Sequence, residues 1–104
     1  LETKKEDDRD ALLDLLKYLE YNGISPIVVI MPVTPYYKRF LDKKYAETLQ
    51  DVLTSLSDVA KFKVIDFNEG YEFSDDDFID VDHLNEVGAV RLTNYLNNSL
   101  KWLR

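Results

Sequence analysis

An apolar run between two prolines restricts most strongly what this chain can fold into. The run Ile27 to Met31 lies between Pro26 and Pro32 and is mostly β-branched. It is too short for a typical helix, and no polar residue alternates with the apolar ones, so both faces of a strand here would be apolar. Strands of this kind lie inside parallel sheets that helices cover on both sides. The run therefore predicts a central parallel strand.

Segments with helical spacing alternate with this strand and with a second one. Apolar residues recur three or four positions apart from about Lys5 to Asn22, from Phe40 to Ser57 and from Leu84 to Trp102. A second strand is predicted over Phe62–Phe67. The order α-β-α-β-α is typical of an α/β fold with a parallel sheet and right-handed crossovers.

The loops that follow the two strands are where such a sheet binds ligands. The first is predicted over Val33–Lys38, and the second is an acidic, irregular stretch that extends to Asp82. A strand that is apolar on both faces needs strand neighbours and covering helices, and a sheet of two strands is too small to provide them. We therefore expect the amino-terminal remainder of the same domain to supply the other strands. The alternative is a homo-oligomer formed through an open sheet edge.

The composition excludes several classes of function. The net charge of −7, from 20 acidic and 13 basic residues, opposes binding to a nucleic-acid backbone. No apolar run approaches the roughly 20 residues that span a bilayer, and the start does not resemble a signal peptide. The chain contains no cysteine, which excludes disulfides and thiolate zinc sites and leaves the compartment open.

The chain begins at Leu1, inside a charged segment, and we expect it to be an excised piece of a longer protein. No repeat, low-complexity segment or linker divides it. Residues 1–104 are therefore interpreted as one unit.

The only histidine, His83, is the strongest candidate for chemistry. Asp80 precedes it by three residues, and in a tight turn this spacing brings a carboxylate to the Nδ1 atom of the ring. The Nε2 atom would then face a nucleophile as a general base. Asp82 is the alternative partner for the ring.

This segment resembles the last conserved block of the SGNH (GDSL-like) hydrolases, whose pattern is D-x-x-H. The matching residues are Asp80 and His83, followed by Leu84, Asn85 and Gly88. The resemblance extends over the strand Pro26–Pro32, the loop Val33–Tyr37 and the strand Lys63–Phe67. It implies the closing half of a flavodoxin-like, three-layer α/β/α domain, so residues 1–104 would form the carboxy-terminal part of such a domain.

The resemblance implies that His83 is the general base and that Asp80 orients it. The family carries its serine in a Gly-Asp-Ser block near the start of the domain, and that block is absent here. None of the serines lies in such a context or in a Gly-x-Ser-x-Gly motif: Ser25, Ser55, Ser57, Ser74 and Ser99. We expect the fragment alone to be inactive.

Within the superfamily, the loop Ile30–Pro35 and the Asp-His-Leu-Asn turn are similar to the cell-envelope branch. That branch includes the D-alanyl transfer protein of lipoteichoic acid synthesis and alginate acetyltransferase-like proteins. The resemblance implies a serine esterase or O-acyltransferase acting on ester-linked acyl groups of a carbohydrate or envelope polymer, without a cofactor and outside the cytoplasm. Thr34 and Tyr36 are predicted to bind the substrate.

Simpler interpretations remain open for each feature. His83 could cap or pack a helix, and the chain could be a noncatalytic α/β interaction or regulatory module whose acidic loop binds a protein. The cluster Asp75–Asp77 does not satisfy the ligand spacing of an EF-hand, so no metal is expected and the loop is predicted to be solvated. Tyr36 and Tyr37 could pack against a neighbouring segment. Trp102 and the adjacent leucines are predicted to lie in the core or on a partner surface.

Overall fold

A computed structural model describes residues 2–40 and 43–101, with side chains from Asp8 onward. In this part the chain is α/β, with four α-helices and a two-stranded parallel sheet, which confirms the predicted class. The elements are α1 (Glu2–Tyr21), β1 (Ile27–Ile30), α2 (Pro35–Lys38), α3 (Lys43–Ser57), β2 (Lys63–Asp66) and α4 (Glu86–Lys101), with a 3₁₀ turn at Asp75–Asp77 before α4. No helix among the described residues is long and apolar enough to cross a membrane.

Helix α1 ends at Tyr21, just before Asn22 and Gly23. Gly23 has a φ of 73°, a left-handed conformation that residues with a Cβ rarely adopt. The Gly23 N–H donates to the Glu20 carbonyl at 3.0 Å, and the Ile24 N–H donates to the Leu19 carbonyl at 2.9 Å. These two bonds form a Schellman motif, which satisfies the last carbonyl groups of the helix.

The two strands pair in parallel. The Lys63 N–H donates to the Pro26 carbonyl at 3.1 Å, and the Phe67 N–H donates to the Ile30 carbonyl at 3.0 Å. Strand β1 is half-buried at all four positions, whereas the first two residues of β2 are exposed. Among the described residues, the predicted inner strand β1 therefore has one strand neighbour.

The chain divides into two compact units, and the division passes through both strands. The first unit comprises Leu1–Val28 and Asp42–Ile65, and the second comprises Val29–Leu41 and Asp66–Arg104. The centre of the first unit is aliphatic, with Leu16, Leu56 and Ala60 buried. Five partly buried side chains pack against this centre: Leu12, Leu13, Val28, Val52 and Phe62.

The second unit has an aromatic centre. Five rings contact one another in pairs with centroid distances between 4.7 and 6.3 Å: Phe67, Tyr71, Phe73, Phe78 and Tyr95. The Tyr95 hydroxyl donates to the Glu72 carbonyl at 3.1 Å, which gives the polar end of that ring a partner. These rings support the residues that precede helix α4.

The predicted loop Val33–Lys38 contains a short helix, so this part of the prediction is wrong. Helix α2 begins at Pro35, whose fixed φ suits the first helical position. The Thr34 hydroxyl accepts from the Tyr37 N–H at 3.1 Å and caps the helix. The long helix predicted from Phe40 begins instead at Lys43, as α3.

Helix α4 starts two residues later than predicted. Leu84 forms an isolated antiparallel bridge with Phe78, and the first helical residue is Glu86. The predictions for Trp102 and Leu103 fall outside the described residues.

Candidate functional site

A tight exposed turn, Ile79–His83, carries the predicted catalytic pair. The Phe78–Leu84 bridge closes the turn, and the Ile79 N–H donates to the His83 carbonyl at 2.7 Å. The turn belongs entirely to the second unit. It places three titratable side chains, Asp80, Asp82 and His83, on one short stretch of backbone.

The Asp80 carboxylate contacts the His83 ring, as predicted. Its Oδ1 and Oδ2 atoms lie 2.9 and 3.0 Å from Nδ1. Oδ1 also accepts from the backbone N–H groups of His83 at 2.8 Å and Asp82 at 3.1 Å. Because backbone donors fix this carboxylate, it can orient the ring rather than merely follow it.

Asp82, the alternative partner, is equally near. Its Oδ1 atom lies 2.9 Å from the same Nδ1 atom, but only Asp80 has hydrogen-bond geometry to the ring. All three side chains are open to solvent, with 72% of the His83 side chain exposed. Both partners of the pair are therefore accessible from solvent.

The electrostatics of the turn favour the charged form of each partner. The hydrogen bond from Asp80 raises the pKa of His83 above its ordinary value, and the charges of Asp80 and Asp82 add to this. The Asp82 N–H, followed by the His83 ring, lowers the pKa of the Asp80 carboxyl. With Nδ1 facing carboxylates, Nε2 is the ring nitrogen that can accept a proton from a nucleophile.

Asp77 is buried and pairs with the half-exposed side chain of Arg91, so the prediction of a solvated acidic loop is wrong at this residue. That residue is 2% exposed. Its Oδ2 atom accepts from the Ser74 N–H at 2.9 Å and lies 3.2 Å from Nε of Arg91 on α4. A carboxylate can be buried here because a guanidinium and a backbone donor replace its water.

Asn85 and Gly88 fix the start of α4 against the backbone of Asp76 and Asp77. The Asn85 Oδ1 atom accepts from the Gly88 N–H at 2.9 Å, as an N-cap does, and its Nδ2 donates to the Asp76 carbonyl at 2.7 Å. A Cβ at position 88 would lie 2.1 Å from the Asp77 carbonyl oxygen. Only glycine permits this approach, so the block that resembles the family has a physical role at both positions.

The two predicted substrate-binding residues differ in their surroundings. The Thr34 N–H donates to the Val81 carbonyl at 2.9 Å, which attaches the loop after β1 to the His83 turn. Thr34 itself is buried, and its hydroxyl caps α2. The Tyr36 ring is 57% exposed and lies 5.0 Å from the Phe40 ring. Tyr36 is therefore accessible from solvent, whereas Thr34 holds the backbone. Substrate contact by either residue stays a prediction.

Asn68, in the turn after β2, is a structural residue that the sequence pattern did not indicate. Its Oδ1 atom accepts from the Val33 N–H, and its Nδ2 donates to the Met31 carbonyl, both at 3.0 Å. The Lys38 ammonium donates to its backbone carbonyl. An asparagine directly after a strand was the available signal, since its amide can both accept and donate.

The three side chains of the turn also form a group with metal-ligand chemistry. Asp80, Asp82 and His83 each offer one ligand atom, and these atoms lie within 4.8 Å of one another. All three are exposed, and exposed acidic groups are common without an ion. Among the described residues, Asp75 and Asp76 are not part of this group. The arrangement is explained by the carboxylate–imidazole pairing and carries no metal assignment.

Comparisons of the chain with protein-family models, with curated proteins and with solved structures found no match. Among the described residues, no serine hydroxyl is hydrogen-bonded to His83. Ser99, for example, shares a 3.0 Å hydrogen bond with the Tyr71 hydroxyl. The geometry of the turn is therefore the observation on which a functional proposal depends.

Proposed function

We propose that this chain is the carboxy-terminal part of an SGNH-like serine esterase or O-acyltransferase, with His83 as its general base. The observation that carries the proposal is the Asp80 carboxylate, held by backbone N–H groups and 2.9 Å from Nδ1 of an exposed imidazole. An imidazole activates a hydroxyl nucleophile when a fixed carboxylate contacts one ring nitrogen and the other nitrogen is open to the hydroxyl.

In the proposed reaction, Nε2 of His83 accepts the proton of a serine hydroxyl as its oxygen attacks an ester carbonyl. The resulting imidazolium is stabilised by Asp80 and returns the proton to the departing alcohol, which leaves an acyl-enzyme. Water or an acceptor hydroxyl then gives up a proton to His83 and attacks the acyl carbonyl. His83 returns this proton to the departing serine oxygen, so the acyl group is released and the serine hydroxyl is restored. The serine is supplied by a segment outside these 104 residues.

The proposal includes the finer fold and the substrate class. We interpret residues 1–104 as part of one flavodoxin-like three-layer domain, whose remaining strands come from the amino-terminal remainder of that domain. The half-burial of all four residues of β1 supports this, because a wholly apolar strand is normally covered on both faces. The proposed substrate is an acylated carbohydrate or envelope polymer outside the cytoplasm, and no cofactor is required.

A second copy of the chain is the alternative source of the missing strands. Sedimentation of the 104-residue chain separates the two possibilities. A monodisperse monomer would exclude pairing between copies, whereas a dimer that Lys-directed cross-linking places at the strands would support it.

The catalytic proposal is tested in the complete reading frame, provided that it carries a Gly-Asp-Ser block upstream. We expect His83→Ala to lower kcat for p-nitrophenyl acetate hydrolysis about 10⁶-fold, because the serine loses its general base. Asp76→Asn is the matched control, because it removes an exposed charge from the same loop without touching the ring. An unchanged rate in His83→Ala, or a reading frame without the serine block, would leave the noncatalytic interaction module as the better interpretation.

A further inference from the structure

Two carboxylates lie within reach of one nitrogen of the His83 ring. Oδ1 of Asp80 and Oδ1 of Asp82 each lie 2.9 Å from Nδ1. A neutral imidazole that is protonated at Nδ1 carries a single hydrogen there, so only one carboxylate can accept it at a time. The second carboxylate then acts through its charge alone.

The two carboxylates differ in what else they bind. Asp80 also accepts from two backbone N–H groups, those of Asp82 and His83. Among the described residues, the Asp82 carboxylate has no hydrogen-bond partner of its own. Asp80 is therefore fixed by the turn, whereas Asp82 is held beside the ring with unused acceptor capacity.

We propose that Asp82 is a second positioning residue for His83, which accepts the Nδ1 hydrogen whenever the Asp80 carboxylate is removed or neutralised. The turn thereby keeps the ring in one tautomer with either carboxylate present. The consequence for catalysis depends on the proposed function, but the effect on the tautomer does not.

The charges around the ring agree with this arrangement. Within the part of the chain that the structure describes, the titratable groups that face the ring are Asp80 and Asp82, both from its own turn. Attraction to each of them raises the pKa of the imidazole. Removing either charge should therefore reduce the electrostatic stabilisation of the imidazolium, and removing both should abolish it.

The direct test is ¹⁵N NMR of the ring nitrogens, which is unambiguous because the chain has one histidine. We compare the unaltered chain with Asp80→Asn, Asp82→Asn and the double variant. Above the titration midpoint of the ring, the unaltered chain and both single variants should keep the Nδ1–H tautomer. The double variant should change to the Nε2–H tautomer that free imidazole side chains prefer. The titration midpoint should fall in each single variant and furthest in the double variant.

Two results would overturn the proposal. One is an Asp80→Asn spectrum that already shows the tautomer ratio of the double variant. The other is an Asp82→Asn titration midpoint equal to that of the unaltered chain. The second result remains decisive even if loss of the Asp80 backbone contacts loosens the turn, because Asp82→Asn leaves those contacts in place.

Kinetics of the complete protein separate this proposal from the proposed function. We expect Asp80→Asn to lower kcat at most about 100-fold and the double variant to approach the roughly 10⁴-fold loss known for triads without an orienting carboxylate. Failure of the proposed function would appear as an active His83→Ala variant. Failure of the present inference would appear as an Asp80→Asn variant as slow as the double variant, with His83 still essential.

Discussion

The first unit has a mainly aliphatic centre, whereas the second is held by aromatic rings and by polar contacts around one buried carboxylate. In the first unit, Leu16 and Leu56 are buried by the hydrophobic effect, which does not depend on the direction of a contact. In the second, the Asp77 side chain meets Arg91, and its carbonyl accepts from the Asn85 N–H at 2.9 Å. Hydrogen bonds and ion pairs work only at defined distances and angles.

Small shifts in atomic position matter more in the second unit than in the first. Aliphatic packing tolerates small shifts, while a buried carboxylate with fixed partners does not. The candidate site lies in the unit with the directional contacts, next to Asp77 and Asn85. Substitutions in the first unit should therefore lower stability mainly by reducing apolar burial. Substitutions in the second unit should lower it mainly by disturbing hydrogen bonds, ion pairs and close backbone contacts.

Loss of apolar burial in the first unit should lower the stability of the chain most. Leu16 is 2% exposed, and its neighbour on α1, Leu15, is 52% exposed. Leu16→Ala should lower the free energy of unfolding by about 3 kcal/mol, because it removes buried methyl groups and leaves a cavity. Leu15→Ala, the matched control, should change it by about 0.5 kcal/mol. Urea denaturation measures both, and equal losses would contradict the assignment of Leu16 to the core.

A smaller loss of stability is expected when the close approach of Gly88 to the Asp77 carbonyl is blocked. Gly88→Ala should lower the free energy of unfolding by about 2 kcal/mol, since the new methyl group would have to displace the Asp77 carbonyl. Val87→Ala is the control, because Val87 is 60% exposed on the same helix. A Gly88→Ala variant as stable as the unaltered chain would show that the turn does not require this close approach.

The elements of both units that follow a simple pattern were predictable from the sequence. Helices α1, α3 and α4 each repeat apolar residues at helical spacing, and β1 is a continuous β-branched run. The Asp80–His83 pairing was predictable because the partners are three residues apart and one turn suffices to join them. Each of these predictions depends only on residues that lie close together in the sequence.

The features that were missed depend on partners far apart in the sequence or on very short elements. Asp77 is buried because of Arg91, 14 residues later, and an acidic stretch alone gives no sign of that partner. Asn68 contacts Val33 across 35 residues. Helix α2 has only four residues, too few to show a period, although Thr34 before Pro35 is a capping signal. Polar contacts between residues far apart in the sequence can be identified only from the three-dimensional structure.

A smaller effect should separate capping from general packing in the second unit. Asn85→Ala should lower the free energy of unfolding by about 1 kcal/mol, because the Gly88 N–H loses its side-chain acceptor. Asn97→Ala on the exposed part of α4 is the matched control and should be neutral or slightly stabilising, since alanine favours helix. The ¹⁵N shift of the Gly88 amide reports the lost bond directly, and an unchanged shift would argue against the cap.

The smallest effect on stability is that of the exposed Asp80–His83 pair, and its sign depends on pH. The pKa of His83 is raised above 6.5, so its contribution is fully present below pH 6.5 and is lost as pH rises through the raised value. The pKa of Asp80 is lowered from 3.8, so its contribution is present above pH 3.8 and is lost as pH falls through the lowered value. Asp80→Asn should therefore destabilise the chain more at about pH 5 than at about pH 9. Asp51→Asn removes an equal charge from the exposed face of α3 in the first unit, so a similar pH dependence there would assign the effect to net charge rather than to the pair.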